Sequence, residues 1–326
     1  MLPEKMICVE IENGKLTNST RQLPSPKKGE VLIKVAAAGV NRADILQRQG
    51  KYPPPWGASD IPGLEIAGEV VLVGEGVKQP STGDKIMALV SGGGYAEYCI
   101  APAVLCLPIP SNLELDEAAA VPETFFTVFC NLFQRAKLKA NETLLVHGGS
   151  SGIGTTAIQM AHAFGSKVVV TAGNDDKCGA CEVLGADLAI NYNVSNFVEK
   201  VYNYTNGRGV DVILDMVGGE YLARNIEVLA INGRLVSIAS LRGGKAEIDL
   251  IPIMLKRLTI TGSTLRTRSI DFKASIANNL IKKIWPLIEK EEILPFINAT
   301  FLLEEATKAH ELMQSSEHIG KIVLVT

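Results

Sequence analysis

A glycine-rich turn between a short apolar run and an amphipathic stretch constrains the fold of this chain more than any other segment. Residues 143–146 have the length and composition that are typical of a strand buried on both faces. The turn spans residues 148–154, GGSSGIG, and Ile158, Ala161 and Phe164 then recur at helical spacing. The order of strand, glycine turn and helix predicts the beginning of a βαβ unit.

Glycine is needed in this turn because a ligand must come close to the main chain. A diphosphate can reach the free N–H groups at the start of a helix only where no Cβ blocks the backbone. The residues expected to contact a pyrophosphate are Gly149, Ser151, Gly152, Ile153 and Gly154. Gly154 is also expected to let the helix lie close to the strand. Because a plain tight turn could be equally rich in glycine, the assignment depends on the pattern of the chain beyond residue 164.

The chain after the turn alternates between strand-like and helix-like segments. A second buried strand, residues 167–172, lies about 20 residues beyond the turn, as a dinucleotide-binding fold requires. Further strand-like runs lie at 210–214, 234–238 and 258–261, and helix-patterned segments lie at 176–184, 195–204 and 221–229. This alternation predicts a parallel, doubly wound α/β sheet that binds a nucleotide.

Length and composition set the class of protein. A chain of 326 residues suggests about two domains, and 47% hydrophobic with 21% charged residues is an ordinary globular balance. The net charge of −3 and the lack of a basic stripe argue against a nucleic-acid partner, so Arg266 and Arg268 are expected to be solvated or interface charges. No apolar run reaches about 18 residues and no signal-peptide pattern is present, so we expect a cytoplasmic protein without a membrane span.

The segments on either side of the doubly wound region have a different pattern. Residues 1–123 contain short strand-like runs with frequent proline and glycine turns, which favours a β-rich, partly open barrel. Helices are predicted at 274–289 and 301–313, and a closing strand at 320–325. We therefore expect residues 1–123 and 266–326 to form one discontinuous substrate domain. Residues 124–265 would be the dinucleotide-binding insert, with a cleft between the two.

Four short strings carry a resemblance to a known family. They are NRAD at residues 41–44, GLE at 63–65, GGGY at 92–95 and GKIV at 320–323. The chain resembles the medium-chain dehydrogenase/reductase superfamily, and specifically its quinone oxidoreductase branch. Within that branch it is most similar to the tumour-suppressor-inducible group, a resemblance carried by residues 41–50, 57–59, 87–89 and 320–324. The resemblance implies an α/β fold in which a Rossmann domain is inserted into a GroES-like barrel.

The metal ligands of the zinc-dependent members of this superfamily are missing from the sequence. Those members use a cysteine near position 41 and a Gly-His-Glu string, whereas Asn41 and Leu64 stand at those places here. Cys178 and Cys181 have the spacing of a metal or redox pair, but they fall inside a predicted helix without a second ligand pair nearby. We interpret them as unpaired helix residues and expect catalysis without a metal.

The resemblance also implies roles for individual residues. Asn41 and Thr127 would hold the carboxamide side of a nicotinamide, and Tyr52 would border the acceptor and donate to its oxygen. The implied catalytic residues are Tyr52, Asn41 and Ser151, and further cofactor contacts are implied for Ser240, Leu265 and Lys321. The alternatives are that Asn41 only stabilises a turn and that Tyr52 is a surface residue. We interpret His147 as a strand-end hydrogen bonder rather than a catalyst.

The end of the second strand favours NADPH over NADH. A cofactor without a 2′-phosphate usually meets an acidic residue there, but this strand has no carboxylate at its tip. In the resembled family a Ser, a Lys and a Tyr hold the phosphate; Lys177 and Tyr192 match the last two, and Asn174 replaces the Ser. Asp175 and Asp176 depart from the pattern and bring two anions near the site, unless they face solvent and favour the helix start.

Three functions remain open on the sequence alone. The leading hypothesis is a metal-free NADPH-dependent quinone oxidoreductase, and a second is an NADPH-dependent enoyl or alkenal reductase of the same superfamily. A third is a low-turnover NADPH-binding protein, similar to the lens crystallins and RNA-binding relatives of the family. The expected partners are a small quinone or other activated carbonyl substrate and a second copy of the chain. A homodimer is expected because the strand near residues 258–265 would lie at an open sheet edge.

Overall fold

The computed structural model describes residues 2–326 and divides them into two units. The β-rich unit contains the chain up to Phe126, Leu265–Glu291 and Pro295–Thr326, and the parallel-sheet unit contains Thr127–Thr264 and Glu292–Leu294. The predicted boundaries place residues 124–126 and 265 in the insert, whereas these residues lie in the β-rich unit. They also assign residues 292–294 to the β-rich domain, whereas these lie in the parallel-sheet unit. The reason is that the side-chain amide of Gln159 donates to the carbonyl of Leu294 and accepts from its N–H, both at 2.9 Å.

Strands and helices alternate through the middle of the chain. In chain order the strands are β1 (Lys5–Glu12), β2 (Lys15–Gln22), β3 (Glu30–Val40), β4 (Glu65–Val73), β5 (Lys85–Leu89), β6 (Tyr98–Pro102), β7 (Cys106–Pro108), β8 (Thr143–His147), β9 (Lys167–Ala172), β10 (Leu188–Asn191), β11 (Val210–Asp215), β12 (Leu229–Ser237), β13 (Thr259–Gly262), β14 (Ile297–Leu302) and β15 (Lys321–Val325). The α-helices are α1 (Arg42–Arg48), α2 (Leu115–Ala119), α3 (Pro122–Val128), α4 (Gly152–Ala163), α5 (Asp175–Val183), α6 (Phe197–Tyr204), α7 (Tyr221–Val228), α8 (Ile251–Lys256), α9 (Ile270–Lys283), α10 (Trp285–Glu289) and α11 (Ala306–Ser315). Phe129–Arg135 forms a π-helix after α3, and Ala103–Leu105 and Leu303–Glu305 form 3₁₀ turns.

The six strands of the parallel-sheet unit all run parallel, in the order β10-β9-β8-β11-β12-β13. Every residue of β8 and β11 is buried, as are the apolar residues of β9, which is typical of strands covered on both faces. The order runs outward from β8 in both directions, as in the doubly wound dinucleotide-binding fold. The predicted α/β fold class is confirmed.

The parallel register brings the carboxyl ends of these strands to one edge of the sheet. His147 at the end of β8 pairs with Thr171 of β9, and Asp215 at the end of β11 pairs with Ser237 of β12. The turns after these strands therefore lie at the same edge. The strand order reverses at β8, and ligands of doubly wound folds bind outside the carboxyl ends at this reversal.

The β-rich unit is built around β3, an 11-residue strand that pairs with β4, β6 and β15. Its sheet has the order β14-β15-β3-β4-β5-β7, while β1 and β2 form a separate antiparallel pair. Side chains of β3 and β15 share one core, in which Ile33, Val40 and Ile322 are fully buried. The predicted closing strand is confirmed, and it returns the end of the chain to the first unit because β15 pairs with β3.

The prediction of one helix over residues 301–313 is wrong at its beginning. Phe301 and Leu302 belong to β14, whose residues alternate between half-buried and exposed, and α11 starts only at Ala306. Phe301 and Leu302 are in a strand rather than a helix because β14 pairs with β15. The strand β15 follows α11 in the chain, so a local pattern does not reveal this pairing. The strand β10 and the helix α8 were not predicted, because four and six residues are too few to show a period.

Candidate functional site

The glycine turn after β8 has no room for side chains. A Cβ built on Gly149 would lie 2.6 Å from the Cβ of Val170 on β9, and one built on Gly154 would collide with the carbonyl oxygen of Gly148. Gly148 itself has a φ of +73°, a left-handed conformation that favours glycine. The main chain of the turn is therefore bare, with α4 packed directly onto it.

Helix α4 begins with main-chain donors that the protein leaves open. Ser151 is its N-cap, because the hydroxyl accepts from the N–H of Gly154 at 3.1 Å and donates to the carbonyl of Gly148 at 2.8 Å. The N–H groups of Gly152 and Ile153 have no acceptor in the chain from residue 2 onward. Free amides and the helix dipole together make this end suited to an anion. The hydroxyl of Ser151 is engaged in the cap, and its catalytic role stays a prediction.

Three of the residues expected near a 2′-phosphate lie at the carboxyl ends of β9 and β10. Asn174 is the N-cap of α5, and its side-chain oxygen accepts from the N–H of Lys177 at 2.8 Å. The N–H of Tyr192 donates to the carbonyl of Ala172 at 3.1 Å. The Tyr192 hydroxyl lies 3.0 Å from the place that a Cβ on Gly173 would take. The structure thus places Asn174, Lys177 and Tyr192 around the tip of β9.

The two aspartates that depart from the family pattern occupy the first turn of α5. Asp175 accepts a hydrogen bond of 2.7 Å from the side chain of Asn191, and Asp176 is exposed. Carboxylates stabilise a helix N-terminus. Their placement fits the interpretation that they favour the helix start.

The remaining predicted cofactor residues are divided between the two units. Thr127 is buried in the parallel-sheet unit, where its carbonyl accepts from Asn131 at 2.8 Å. Ser240 lies after β12, and its hydroxyl is 3.0 Å from the place of a Cβ on Gly218 after β11. Leu265 is half-buried and belongs to the β-rich unit. Ser240 thus lies at the carboxyl edge, and the cofactor contacts of all three stay predictions.

His147 is a strand-end hydrogen bonder, as interpreted from the sequence. It is fully buried, with Nδ1 at 3.0 Å from the Thr171 hydroxyl and Nε2 at 2.7 Å from the side-chain oxygen of Asn225. Its ring packs edge-on against Phe197 and Tyr221. Burial lowers the pKa of His147, so the ring is neutral and structural.

A buried polar cluster forms around Asn41 in the β-rich unit, and it includes Glu65 and Lys321. The Lys321 ammonium donates to Asn41 Oδ1 at 2.6 Å, to Glu65 Oε1 at 2.5 Å and to the Val40 carbonyl at 3.2 Å. The amide of Asn41 donates to Glu65 Oε1 at 2.8 Å. All three N–H groups of Lys321 are therefore used inside the protein. The structure brings Asn41 and Lys321 together, and the cofactor contact of each stays a prediction.

The cluster continues through Asp44 to a buried histidine. Asp44 accepts from the N–H of Asn41 at 2.8 Å, from the N–H of Gly63 at 3.1 Å and from the Tyr95 hydroxyl at 3.1 Å. The Tyr95 hydroxyl also lies 3.1 Å from His310 Nε2. Burial raises the pKa of Asp44 to about 6, against the lowering effect of these hydrogen bonds, and burial lowers the pKa of His310 to about 3. His310 is therefore neutral at pH 7.

Sequence reasoning missed the role of Glu65, although it quoted the GLE string that contains it. The side chain is completely buried, and its second oxygen accepts from the N–H of Glu123 at 2.8 Å. A Cβ on Gly39 of the neighbouring strand would collide with this carboxylate. An acidic residue opposite a glycine is the signal that could have indicated a buried, paired carboxylate.

Tyr52 lies on the loop after α1, and a buried arginine holds it. Arg266 Nη1 donates to the Tyr52 carbonyl at 3.2 Å, and the guanidinium carbon lies 5.4 Å from the centre of the ring. The expectation that Arg266 is a solvated or interface charge is wrong, because the residue is only 6% exposed. Burial raises the pKa of Tyr52 although Arg266 opposes this, so the phenol keeps its proton at neutral pH and can donate it.

Cys178 and Cys181 both lie in α5 as free thiols. Burial raises the pKa of Cys181 to about 12, which makes it unreactive. From residue 2 to residue 326, no group of three or more His, Cys, Asp or Glu side chains is arranged to hold a metal ion. In the same range, no helix combines the length and apolar character needed to span a membrane.

Two family models match this chain. A model described as the alcohol dehydrogenase GroES-like domain matches residues 27–111, and one described as a zinc-binding dehydrogenase matches residues 152–281. The first match lies in the β-rich unit, and the second begins with the first residue of α4.

Known proteins are similar to the chain over nearly its whole length. The quinone oxidoreductase of Rattus norvegicus is 32% identical over 305 residues, which are 93% of this chain and 91% of that protein. A mycobacterial protein solved in complex with NADPH superposes with a TM-score of 0.88 at 27% identity, over 98% of this chain and 100% of the other. The enoyl reductase JamJ superposes with a TM-score of 0.87 at 28% identity, over 98% and 99%. The chain therefore belongs to the quinone oxidoreductase branch of the medium-chain dehydrogenase/reductase superfamily.

Proposed function

We propose that this oxidoreductase reduces quinones with NADPH and without a metal ion. The observation that carries the proposal is the bare turn after β8, where the free N–H groups of Gly152 and Ile153 fit a pyrophosphate. NADPH held there would supply a hydride to the acceptor. The similarity to curated quinone oxidoreductases supports a quinone as that acceptor.

The preference for NADPH rests on the tip of β9. Lys177 can offer its ammonium group to a 2′-phosphate, and the Tyr192 hydroxyl and the Asn174 amide lie at the same strand end. Asp175, the first carboxylate after the strand, already accepts a hydrogen bond from Asn191. The tip of the strand itself has no carboxylate, so a ribose without a phosphate would lack the acidic partner that NADH usually finds there. The NADPH complex of the mycobacterial relative agrees with this preference.

The absence of a metal requirement rests on Lys321. Its ammonium already donates to Asn41 Oδ1 and Glu65 Oε1, the oxygens that would otherwise attract a cation. An alcohol substrate would need its oxygen polarised by a metal. A quinone needs less polarisation, because its ring accepts a hydride readily and spreads the resulting negative charge. Tyr52, which keeps its proton, would donate a hydrogen bond to the quinone oxygen. Binding of the acceptor between the two domains stays a prediction.

The direct test is the rate of NADPH oxidation with a panel of ortho- and para-quinones beside small enones, each repeated with NADH. We expect the highest kcat/KM with NADPH and a quinone, and no loss of rate after dialysis against a chelator. Stoichiometric zinc in the purified protein, or no binding of NADPH by fluorescence at millimolar concentration, would contradict the proposal.

The second candidate is an NADPH-dependent enoyl or alkenal reductase, which the superposition with an enoyl reductase favours. Reduction of a C=C bond needs a well-placed acid, whereas a reduced quinone can be protonated by solvent. A higher kcat/KM for enones than for every quinone of the panel would select this candidate. The third candidate is a low-turnover NADPH-binding protein similar to the crystallins and RNA-binding relatives of the family. Negligible turnover with all acceptors would select it, and an RNA affinity that falls steeply with salt would indicate the RNA-binding form.

We also propose that the chain forms a homodimer through β13. This strand is the last of its sheet and has no partner on its outer side in residues 2–326. The helix α8, which precedes β13 in the chain and packs on β12, buries none of its residues, and its Ile251, Met254 and Leu255 are 56%, 67% and 71% exposed. An open strand edge next to exposed apolar side chains is a pairing surface. A second copy would continue the sheet across a two-fold axis.

A further inference from the structure

Two cations, Arg266 and Lys273, lie side by side inside the β-rich unit and are called here the cation pair. Arg266 is 6% exposed and Lys273 is 3% exposed. The Lys273 ammonium donates to the carbonyl of Arg266 at 2.7 Å and to the hydroxyl of Ser91 at 3.3 Å. Arg266 donates to the carbonyl of Ser91 from Nε at 3.0 Å and from Nη2 at 2.8 Å. Both cations therefore share Ser91 as a hydrogen-bond partner.

The cation pair has no counter-ion of its own. Within residues 2–326, neither Arg266 nor Lys273 comes within 4.0 Å of a carboxylate oxygen. Lys321, equally buried, is paired with Glu65 in the same unit. An unpaired buried charge is costly to stability, and two adjacent like charges are more costly still. Burial and the neighbouring guanidinium lower the pKa of Lys273 to about 8. A role in folding alone does not explain why two cations are kept here.

The cation pair is joined directly to the residue that we expect to face the acceptor. Arg266 donates from Nη1 to the Tyr52 carbonyl at 3.2 Å and from Nη2 to Gln47 Oε1 at 2.7 Å. Its guanidinium carbon lies 5.4 Å from the Tyr52 ring centre. Four of the five N–H groups of Arg266 are used by these contacts and by Ser91, so the side chain cannot turn away. The positive charge is fixed beside the phenol.

The charges that act on Tyr52 have opposite signs. Arg266 lowers the pKa of the phenol, and Glu123 raises it. Asp44 interacts with Arg266 from the polar cluster, and Lys273 adds a second positive charge behind Arg266. Arg266 acts directly on the Tyr52 phenol, and Lys273 is linked to it through Arg266, whose carbonyl accepts from the ammonium.

We propose that Arg266 and Lys273 are positioning residues for Tyr52. They hold Tyr52 in place and supply a positive potential. Under this potential the Tyr52 hydroxyl stabilises the acceptor oxygen that becomes negative during the reaction. The inference rests on the proposed function. A quinone that receives a hydride, one hydrogen nucleus with two electrons, becomes a hydroquinone monoanion. A proton from Tyr52 or from water then completes the hydroquinone, and Tyr52 regains its proton from solvent. The cation pair favours acceptors that pass through an oxyanion.

The variant Lys273→Met separates this role from a structural one. It removes a buried charge without a counter-ion, so it should raise the melting temperature. At the same time kcat/KM for the best quinone should fall about tenfold at pH 7, while the NADPH dissociation constant stays unchanged. Stability and activity thus change in opposite directions, which a structural role cannot produce. The variant Arg266→Met should lower kcat/KM further, but its lost hydrogen bonds make it the less clean test.

The control is Arg268→Met. Arg268 lies in the same segment but is exposed, with its guanidinium 3.9 Å from the ring centre of Phe272. Its removal should change neither kcat/KM nor the melting temperature.

In the wild type, kcat/KM should decline above pH 8 as Lys273 loses its proton, and Lys273→Met should lack this decline.

Two results overturn the inference. An unchanged kcat/KM in Lys273→Met, with a wild type that reduces quinones, refutes the cation pair alone and leaves the proposed function intact. A wild type that binds NADPH but reduces no quinone refutes both.

Discussion

The side-chain oxygen of Asn41 accepts a hydrogen bond of 2.6 Å from the ammonium group of Lys321. The amide nitrogen of Asn41 donates to Glu65 at 2.8 Å and only weakly, at 3.4 Å, to the carbonyl of Gly39. The oxygen is therefore occupied by a cation, and one N–H remains nearly free. The nearly free N–H is therefore the group that Asn41 can most readily offer to a ligand, and Lys321 fixes this orientation of the amide.

Removal of the ammonium group should destabilise the protein strongly. Lys321→Met leaves the fully buried Glu65 carboxylate without its positive partner, which costs about 3–5 kcal/mol in the free energy of unfolding. Urea denaturation at pH 7 measures this loss. The double variant Lys321→Met/Glu65→Gln should recover part of it, because no unpaired charge then remains.

The matched control for this prediction is Lys28→Met. Lys28 and Glu75 form an ion pair at 3.6 Å in which both side chains are largely exposed, and such pairs contribute little. We expect no measurable change in unfolding. Equal losses of unfolding free energy in Lys28→Met and Lys321→Met would show that the buried pair contributes no more to stability than the exposed pair.

The closeness of Gly149 to β9 predicts a second loss. In Gly149→Ala the new methyl group would lie 2.6 Å from Val170 Cβ, so the turn must shift, and overpacking of this kind costs about 1–3 kcal/mol. NADPH affinity, measured by fluorescence, should fall as well because the bare amides move. Gly179→Ala is the control, since its methyl group meets nothing within 4 Å on α5. It should stabilise the helix by about 0.5–1 kcal/mol and leave NADPH binding unchanged.

The parallel-sheet unit could be predicted from sequence because its signals are local. The apolar run, the glycine turn and the helix of residues 143–164 are contiguous, and β8 and α4 form at the expected places. The polar cluster gave no such signal, because Asn41 and Lys321 are 280 residues apart and meet only when β15 pairs with β3. Arg266 and Arg268 look alike in sequence. Only tertiary packing buries the first and exposes the second.

His310 should make the protein lose stability in acid. Its pKa is about 3 in the folded state, lowered by burial, against the ordinary 6.5 of the unfolded chain. Between these values the unfolded state binds more protons, so stability falls as pH decreases from 6.5 towards 3. The variant His310→Gln cannot titrate and keeps an amide near Tyr95. From pH 7 to pH 5, the wild type should lose about 2 kcal/mol relative to this variant in urea denaturation. Parallel pH profiles would contradict the lowered pKa.

Charge reversal at Lys177 should change the cofactor preference. Lys177→Glu places an anion at the tip of β9, where it would repel the 2′-phosphate of NADPH. It would also remove the proposed charged hydrogen bond between Lys177 and that phosphate, which is worth about tenfold in affinity. The KM for NADPH should therefore rise by about tenfold or more, while that for NADH changes little. Lys200→Glu, an exposed change on α6, should affect neither. Equal increases for both cofactors in Lys177→Glu would refute the assignment of the phosphate site.

A charge on the open sheet edge should separate the proposed dimer. Ile260 lies on β13 and is 38% exposed, and a lysine there would have to be buried against its symmetry mate if two edges paired. Light scattering after gel filtration should give the mass of two chains for the wild type and of one chain for Ile260→Lys. Val183→Lys is the control, because Val183 is 88% exposed on α5, away from β13 in the strand order. It should remain dimeric. If Ile260→Lys also remains dimeric while the wild type is a dimer, the copies meet through another surface; a monomeric wild type would refute the dimer itself.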